Sequence, residues 1–577
     1  MRFESVLAFV LTVLPGAAAD AKMLAQADLD GGAAPQPGDQ VVLRDFSRLT
    51  PQDALSNKST RGKWWLRPYK TDDGQEGIML ITVERDMDRP ETCLVPQVTY
   101  PLNLNGWYEV WVATYRGPYG GGIDVRLTAD DCFLHIDPQQ VAQHPQRPKP
   151  RVGAIVEINF KPAVDLTGQS LVIQQPFGSY ESFHWGFCEA SLAYVRLIRL
   201  SDEQVKAFQA DQARQDRRVF AVDDDNFSRY WMWGGTDKHA ILRIFEPYRY
   251  HDLAFFGLCM GAMASCYTPT PYTDLQLSDA GRLGDKRVLQ TYQRFAQDGI
   301  DFLTLATERA HRYGFKLLPT WRMSAPYFNG PKFKELARYT LKDDRKRFNF
   351  ACPEIHDYYL KLTRYFLEKY DVDGFILDYT RHRVHFDRDQ PDKTRHMNEF
   401  SAKMRGMVDE VSKAKGRKLL LAASFTEAWY AKSQPLLEFQ GIDVAAWVRN
   451  GYYDIILPEG PNIDRYIQMT RGTSTRCYPR WDCTCDINAK ALAPNIHDPT
   501  PKEDKTDRPI NPHLGPDDLE AGWLVLHEKG ADGIYYFNNP EGMVGTRRIG
   551  HLDEVRERVK TGRAYGIVEG PIVTLTE

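Results

Sequence analysis

Residues 354–381 read EIHDYYLKLTRYFLEKYDVDGFILDYTR. Apolar side chains recur at Ile355, Tyr359, Leu362, Tyr365, Phe366 and Tyr370, a spacing that predicts an amphipathic helix over Glu354–Tyr370. The apolar run from Gly374 to Tyr379 follows at once, and such a run is what a strand buried on both faces of a parallel sheet requires. The same helix-then-strand alternation extends in both directions. Further apolar runs fall at 218–222, 253–260, 316–321, 418–424, 454–457, 476–481 and 533–537. With the run at 374–379 they make eight, and they predict a TIM (β/α)8 barrel, an α/β fold, over residues 216–560. Tyr313-Gly314 stops the helix ahead of the third run, and a Pro-rich charged insertion over 486–517 follows the seventh.

Ahead of this region the chain has a different character. Short β-prone runs bounded by Gly, Pro, Asn or Asp follow one another, and Trp107, Glu109 and Trp111 alternate with Tyr108, Val110 and Val112 in period two. Strands without intervening helices predict an all-β sandwich, jelly-roll-like, over 44–200, read as a carbohydrate-binding module. Ser201-Asp202-Glu203-Gln204 has the form of a capping box and opens a linker helix over 201–215. Residues 561–577 are left as a C-terminal tail. At the other end Arg2, the apolar run Val6–Leu14 and the small residues Ala17, Ala18 and Ala19 predict a secretory signal peptide over 1–19. A Gly- and Pro-rich linker over 20–43 follows it. The expected location is therefore periplasmic or extracellular, in a bacterium. The leader is far shorter than the ~20 apolar residues of a spanning helix, so membrane insertion is not expected.

Composition excludes other classes. Of 577 residues, 42% are hydrophobic and 26% charged, with a net charge of −4, which fits a globular chain and gives no basic field for nucleic acid. The nine cysteines are too few for a disulfide scaffold, and Cys483-x-Cys485 lacks a second pair at metal-ligand spacing. Aromatic residues reach 12%, and a pyranose face stacks on such rings.

In a barrel the chemistry sits where the strands stop. Asp378 ends an apolar strand on the side of Ile376, and a buried carboxylate there is costly unless it has partners or a task. Glycosidic cleavage uses two carboxyl groups, one protonating the leaving oxygen and one attacking the anomeric carbon or activating water. Asp378 is read as nucleophile or base, with Glu427 or Glu459 as general acid. Asp223, Trp321, Arg322, Tyr379, Arg381, Trp429, Trp481, Asp482 and Asn538 lie at other strand ends and are read as substrate-binding. Asp373, at the opposite end of its strand, is read as structural, and Trp447 as core. His382, His385 and His396 are read as substrate-contacting or solvated.

The stretch from Asn349 to His385 resembles the signature of glycosyl-hydrolase-like family 10, a group of exported bacterial barrel proteins. The matching positions are Tyr370, Asp371, Val372, Asp373, Gly374, Asp378, Tyr379 and Arg381. GIDVAAWVRNGYYDIILPEG at 441–460 and GADGIYYFN at 530–538 are similar to further segments of that family. The resemblance implies a barrel related to polysaccharide hydrolases, with a catalytic Asp at position 378. Glu459 and the triple Asp at 223–225 depart from the family pattern.

The function expected is hydrolysis of a polysaccharide or oligosaccharide, with a carbohydrate partner and no cofactor or metal. A carbohydrate-binding barrel without catalysis is the alternative. A metal-dependent hydrolase fits less well, since the first strand ends in Asp residues where a His-x-His is needed.

Overall fold

The computed structural model describes residues 21–82, 94–117, 122–138, 151–176, 190–224, 238–275, 291–325, 330–381, 383–426, 436–459, 463–480, 516–537, 544–562 and 565–576. The chain divides into two compact units. One comprises Met1–Val141 and Arg147–Arg214, joined by Ala564–Glu577, and the other is built on Gln215–Arg563.

The second unit is organised on strands β1 (Val219–Asp223), β2 (Leu253–Ala262), β3 (Lys316–Arg322), β4 (Gly374–Asp378), β5 (Leu420–Thr426), β6 (Ile455–Glu459), β7 (Arg476–Cys477) and β8 (Ile534–Phe537). Strands β2 to β7 pair in parallel in chain order, β1 adds to β2, and β8 adds to β1. An isolated parallel bridge joins Arg480, just beyond β7, to Tyr535 on β8. The same sheet carries Ser265–Cys266, antiparallel to β2, and Asp274–Leu275 beyond it, which brings it to ten strands.

This corrects the expected fold class of a (β/α)8 barrel preceded by an all-β sandwich. The sheet has ten strands where eight were expected, its pairing is not parallel throughout, and β7 is only two residues long. The molecule is a strand-rich mixed α/β fold with large curled sheets. The discrepancy has a physical source, because hydrophobic period reports which segments are buried strands and says nothing of the short, half-polar strands that pair at the sheet margin.

Each face of the curled sheet has its own core. On the inner face Phe220, Val222, Phe255, Leu318, Ile376, Leu420, Ala422, Ile455, Leu457, Tyr478 and Tyr535 pack together. Their alternating neighbours, among them Val219, Ala221, Leu317, Phe375, Leu377, Leu421 and Ile456, pack outward in a larger cluster with the helices. Gly257 on β2 permits the inner packing, for a Cβ there would lie 2.7 Å from Ile376 Cδ1 and 2.8 Å from Val222 Cγ2.

The quoted helix forms over Pro353–Lys369, with Pro at its first turn and Ile355, Tyr359, Leu362 and Phe366 buried. At the amino end of β4, Asp373 ties three segments together. Its Oδ2 accepts from His311 Nε2 at 2.8 Å and from the Leu317 amide at 2.9 Å, while Oδ1 faces Arg417 Nη1 at 3.3 Å. The hydrogen bond to Asp373 holds the His311 imidazolium, raising its pKa above the usual value. Stability from this pair is therefore complete below the unfolded histidine's pKa and is lost as pH rises through the raised folded value. His311→Ala is expected to lower the melting temperature in mildly acid buffer and to leave it nearly unchanged at pH ~9, with a screened effect of roughly 0.2–1 kcal/mol. A melting-temperature difference that is flat or grows toward alkaline pH would refute it.

In the first unit a ten-stranded sheet runs, by residues, from Met23–Ala25 through Gln40–Leu43, Tyr194–Arg199, Trp107–Tyr115, Ala154–Asp165, Ile567–Leu575, Trp64–Thr71 and Glu76–Ile81 to Ser191–Leu192, with Leu55–Ser56 paired beside Trp64–Thr71. A four-stranded sheet is formed by Val98–Pro101, Ser170–Gln174, Ile123–Leu127 and Leu134–Ile136. The strand Ile567–Leu575 comes from the far end of the chain and pairs antiparallel with Ala154–Asp165 on one side and Trp64–Thr71 on the other. Its Glu569 forms ion pairs with Arg116 at 2.6 Å and Arg151 at 2.8 Å. Helix Asp202–Gln212 opens with the capping box read from the sequence, Ser201 Oγ accepting from the Gln204 amide and Gln204 Oε1 from the Ser201 amide. None of the described helices is long and apolar enough to cross a membrane. The signal peptide segment lies outside the described residues.

Candidate active site

Strand period decides which side chains reach the carboxyl ends of the inner face, the edge at which ligands of parallel sheets bind. Continuing the inner-face phase past each apolar core residue gives Asp224 after Val222, Thr320 and then Arg322 after Leu318, Asp378 after Ile376, Ser424 and Thr426 after Ala422, Glu459 after Leu457, Arg480 after Tyr478 and Phe537 after Tyr535. Apart from the Phe537 ring, which packs against the inner core, these residues are polar.

Asp378 is 2% exposed. Its Oδ1 accepts from the Thr380 amide at 2.8 Å, Thr380 Oγ1 at 2.5 Å and Ser424 Oγ at 2.8 Å. Its Oδ2 has no hydrogen-bond partner among the described residues. Burial, and then the charge of Asp224, push the Asp378 carboxyl above the usual range, against the hydrogen bonds from Thr380 and Ser424. Relative to a carboxyl in water, its protonated form is favoured.

Asp224 is in the opposite state. Arg322 Nε donates to its Oδ1 at 2.6 Å, Arg322 Nη2 to its backbone oxygen at 2.9 Å, and Arg381 Nη2 and Nε to its Oδ2 at 2.9 and 3.2 Å. Burial alone would raise this carboxyl, and the two guanidiniums outweigh burial and hold it below the usual range. Glu459, 4% exposed, accepts from Thr426 Oγ1 at 3.0 Å through Oε2 and from Arg480 Nη1 at 2.7 Å through Oε1. The guanidiniums of Arg480 and Arg381 lie 4.6 and 5.9 Å from the centre of the Phe537 ring, within cation–π range.

Of the residues expected from sequence, Asp378, Glu459, Arg322 and Arg381 share this inner face. Asp223, Trp321 and Tyr379 follow the opposite phase. Trp321 is fully buried against Phe366 at 6.0 Å, and Tyr379 is fully buried with its hydroxyl 3.2 Å from that of Tyr453. Asp223 is 1% exposed, in phase with Val219 and Ala221 of the outer cluster. Glu427, Trp429, Trp481, Asp482 and Asn538 lie outside the described residues, as do His382, Cys483 and Cys485.

Trp447 packs against Tyr453 at 4.6 Å in the outer core. His385, expected at the surface or on substrate, is buried between Phe350 and Tyr379, and burial pushes its pKa down to about 3. From the sequence, Asp224 was named only within the triple Asp at 223–225, with Asp223 chosen for the site, and Thr380, Thr426, Arg480 and Phe537 were left out. The signal for Asp224 was present, since it falls in phase with Phe220 and Val222 where Asp223 does not. Among the described residues no group of three or more His, Cys, Asp and Glu side chains is placed to hold a metal ion.

No family model matches the chain, and no curated protein matches it. Its likeness to glycosyl-hydrolase-like family 10 therefore stays a resemblance of motifs. Among solved structures, similarity is found to the PgaB (BpsB) glycoside hydrolase domain from Bordetella bronchiseptica, 11% identical over 59% of this chain and 98% of that one, with a TM-score of 0.37. A glycoside hydrolase family 18 N-acetylglucosaminidase from Paenibacillus barengoltzii is 13% identical over 59% of this chain and 99% of that one, with a TM-score of 0.33. A GH26-CBM35 β-(1,4)-mannanase from Podospora anserina is 9% identical over 89% of this chain and 95% of that one, with a TM-score of 0.25. At these scores the likenesses carry no argument about this chain, and the functional reading rests on the site.

Proposed function

We propose that the protein is an exported glycoside hydrolase acting on a polysaccharide or oligosaccharide, with Asp378 as general acid and Glu459 as the carboxylate that attacks the anomeric carbon or activates water. The observation that carries this reading is the environment of Asp378, a buried carboxyl raised in pKa whose Oδ2 has no partner among the described residues. A group that must give a proton to a glycosidic oxygen near neutral pH needs this state. Glu459 is oriented by Arg480 and Thr426, as a carboxylate that works by charge or attack requires. The role of Asp378 is thereby exchanged with the one its sequence position suggested. Arg322 and Arg381 would hold the site's geometry, and Phe537 offers a ring at its rim. The first unit is read as a carbohydrate-binding module. The test is reducing-sugar release from a broad panel of polysaccharides by the full-length protein. Cleavage of at least one glycan is expected, and binding without cleavage would make the site a lectin-like scaffold.

A further inference from the structure

Arg322 and Asp378 stand directly opposite each other in the register of β3 and β4. Adjacent strand ends bring one cation and one carboxylate close enough for an ion pair to be possible. They do not pair. The Arg322 guanidinium turns instead to Asp224, and so does that of Arg381, three residues beyond Asp378 on the same chain segment. Asp378 has no ion pair among the described residues, although two arginines are within reach of its strand end.

We infer that Asp224 is a positioning residue that draws both arginines away from Asp378 and so preserves Asp378 as a proton donor. The donor role rests on the glycosidase reading. The diversion of the arginines is independent of it.

Asp224 is fully buried and two guanidiniums converge on it, Arg322 from β3 and Arg381 from the segment after β4. The charged groups that the described elements present toward Asp378 are Asp224 beyond β1, Arg322 on β3, Arg381 beyond β4, and the Glu459–Arg480 pair from β6 and beyond β7. Strand β5 contributes only the neutral hydroxyls of Ser424 and Thr426. With Arg322 and Arg381 engaged by Asp224 and Arg480 by Glu459, Asp378 is left facing the negative charge of Asp224 and hydroxyl and amide donors on one oxygen alone. Were Asp224 neutral, Arg322 would have an unpaired carboxylate opposite it in register, and pairing would convert Asp378 from an acid to a fixed anion.

The experiment is an infrared pH titration of the full chain, in which subtracting the Asp378→Asn spectrum isolates the protonated carboxyl band of Asp378. In Asp224→Asn the midpoint is expected to fall by about 1–3 pH units, the displacement an adjacent Arg imposes on an Asp. Asp224→Glu should keep the wild-type midpoint, and Asp224→Asn combined with Arg322→Gln should return it toward that value. A folded Asp224→Asn protein with an unmoved midpoint overturns the inference, as does a double variant that stays low. If Asp224→Asn does not fold, Arg322→Gln alone decides. Its midpoint should stay or rise, and a fall refutes the proposal. The band reports protonation whether or not any glycan is cleaved, so failure of the hydrolase reading would appear separately, as a wild-type protein that titrates as expected and cleaves nothing. In an active protein the alkaline limb of the kcat/KM profile should shift down with the infrared midpoint.

Discussion

Asp378→Asn is expected to lower kcat on the natural glycan by roughly 10²–10⁴-fold, the usual worth of a positioned general acid, while the protein stays folded. Asn keeps an oxygen acceptor for the Thr380 amide and the Thr380 and Ser424 hydroxyls, which all converge on Oδ1. It also removes a buried carboxyl whose ionisation is disfavoured, so the melting temperature should not fall at neutral pH. The role can be read from the substrate. A nitrophenyl glycoside leaves without protonation, so its loss should be at least about tenfold smaller than that of the glycan if Asp378 is the acid. Equal losses on both substrates would instead return Asp378 to the nucleophile or base that its sequence position alone suggests. Glu459→Gln should abolish turnover of both, because attack at the anomeric carbon is needed with either leaving group.

Deleting residues 566–577 is expected to unfold the first unit and leave the second intact. Ile567–Leu575 lies inside a ten-stranded sheet, so its loss removes the ladder to Ala154–Asp165 and the ladder to Trp64–Thr71 together. It also takes Glu569 away from Arg116 and Arg151, a part-buried ion pair in which Arg116 is 2% and Glu569 20% exposed, so this loss adds to that of the two ladders without dominating it. Limited proteolysis should then digest the chain before Arg214 while a fragment built on Gln215–Arg563 survives. Persistence of the protease-resistant first unit after the deletion would show that the strand is an accessory. Glu569→Ala, which keeps both ladders, should give a smaller loss of the same unit's stability.

The same strand shows where sequence reading stops. IVEGPIVTL carries Gly570 and Pro571 at its middle, and a proline there argues against an inner strand because it has no amide to donate. In the structure Ala154 pairs with Ile572 and Val156 with Glu569, so Gly570 and Pro571 together oppose Ile155 in a bulge. The bulge accommodates the missing donor, and only the distant partner strand reveals it. Period two, by contrast, was legible at β4. It places Asp378 on the side of Ile376, and applied with equal strictness it separates Asp224 from Asp223 and Arg322 from Trp321. Those pairs are adjacent in sequence, and proximity to a strand end does not tell the two faces apart. Tyr379 is set apart from Asp378 by the same one-residue step.

Short-range periodicity and the cost of burying a charge were enough to locate the eight principal strands of the second unit, the amphipathic helix ahead of β4 and the placement of Asp378 on the side of Ile376. The tertiary structure alone decided the ten-stranded pairing, the entry of the C-terminal strand into the first unit, and the opposite surroundings of Asp378 and Asp224. Arg322 could pair with Asp378 or with Asp224 on sequence grounds, and the two outcomes give opposite chemistries. The choice depends on which side chains meet across strands about 100 residues apart along the chain, and local pattern carries no record of that distance.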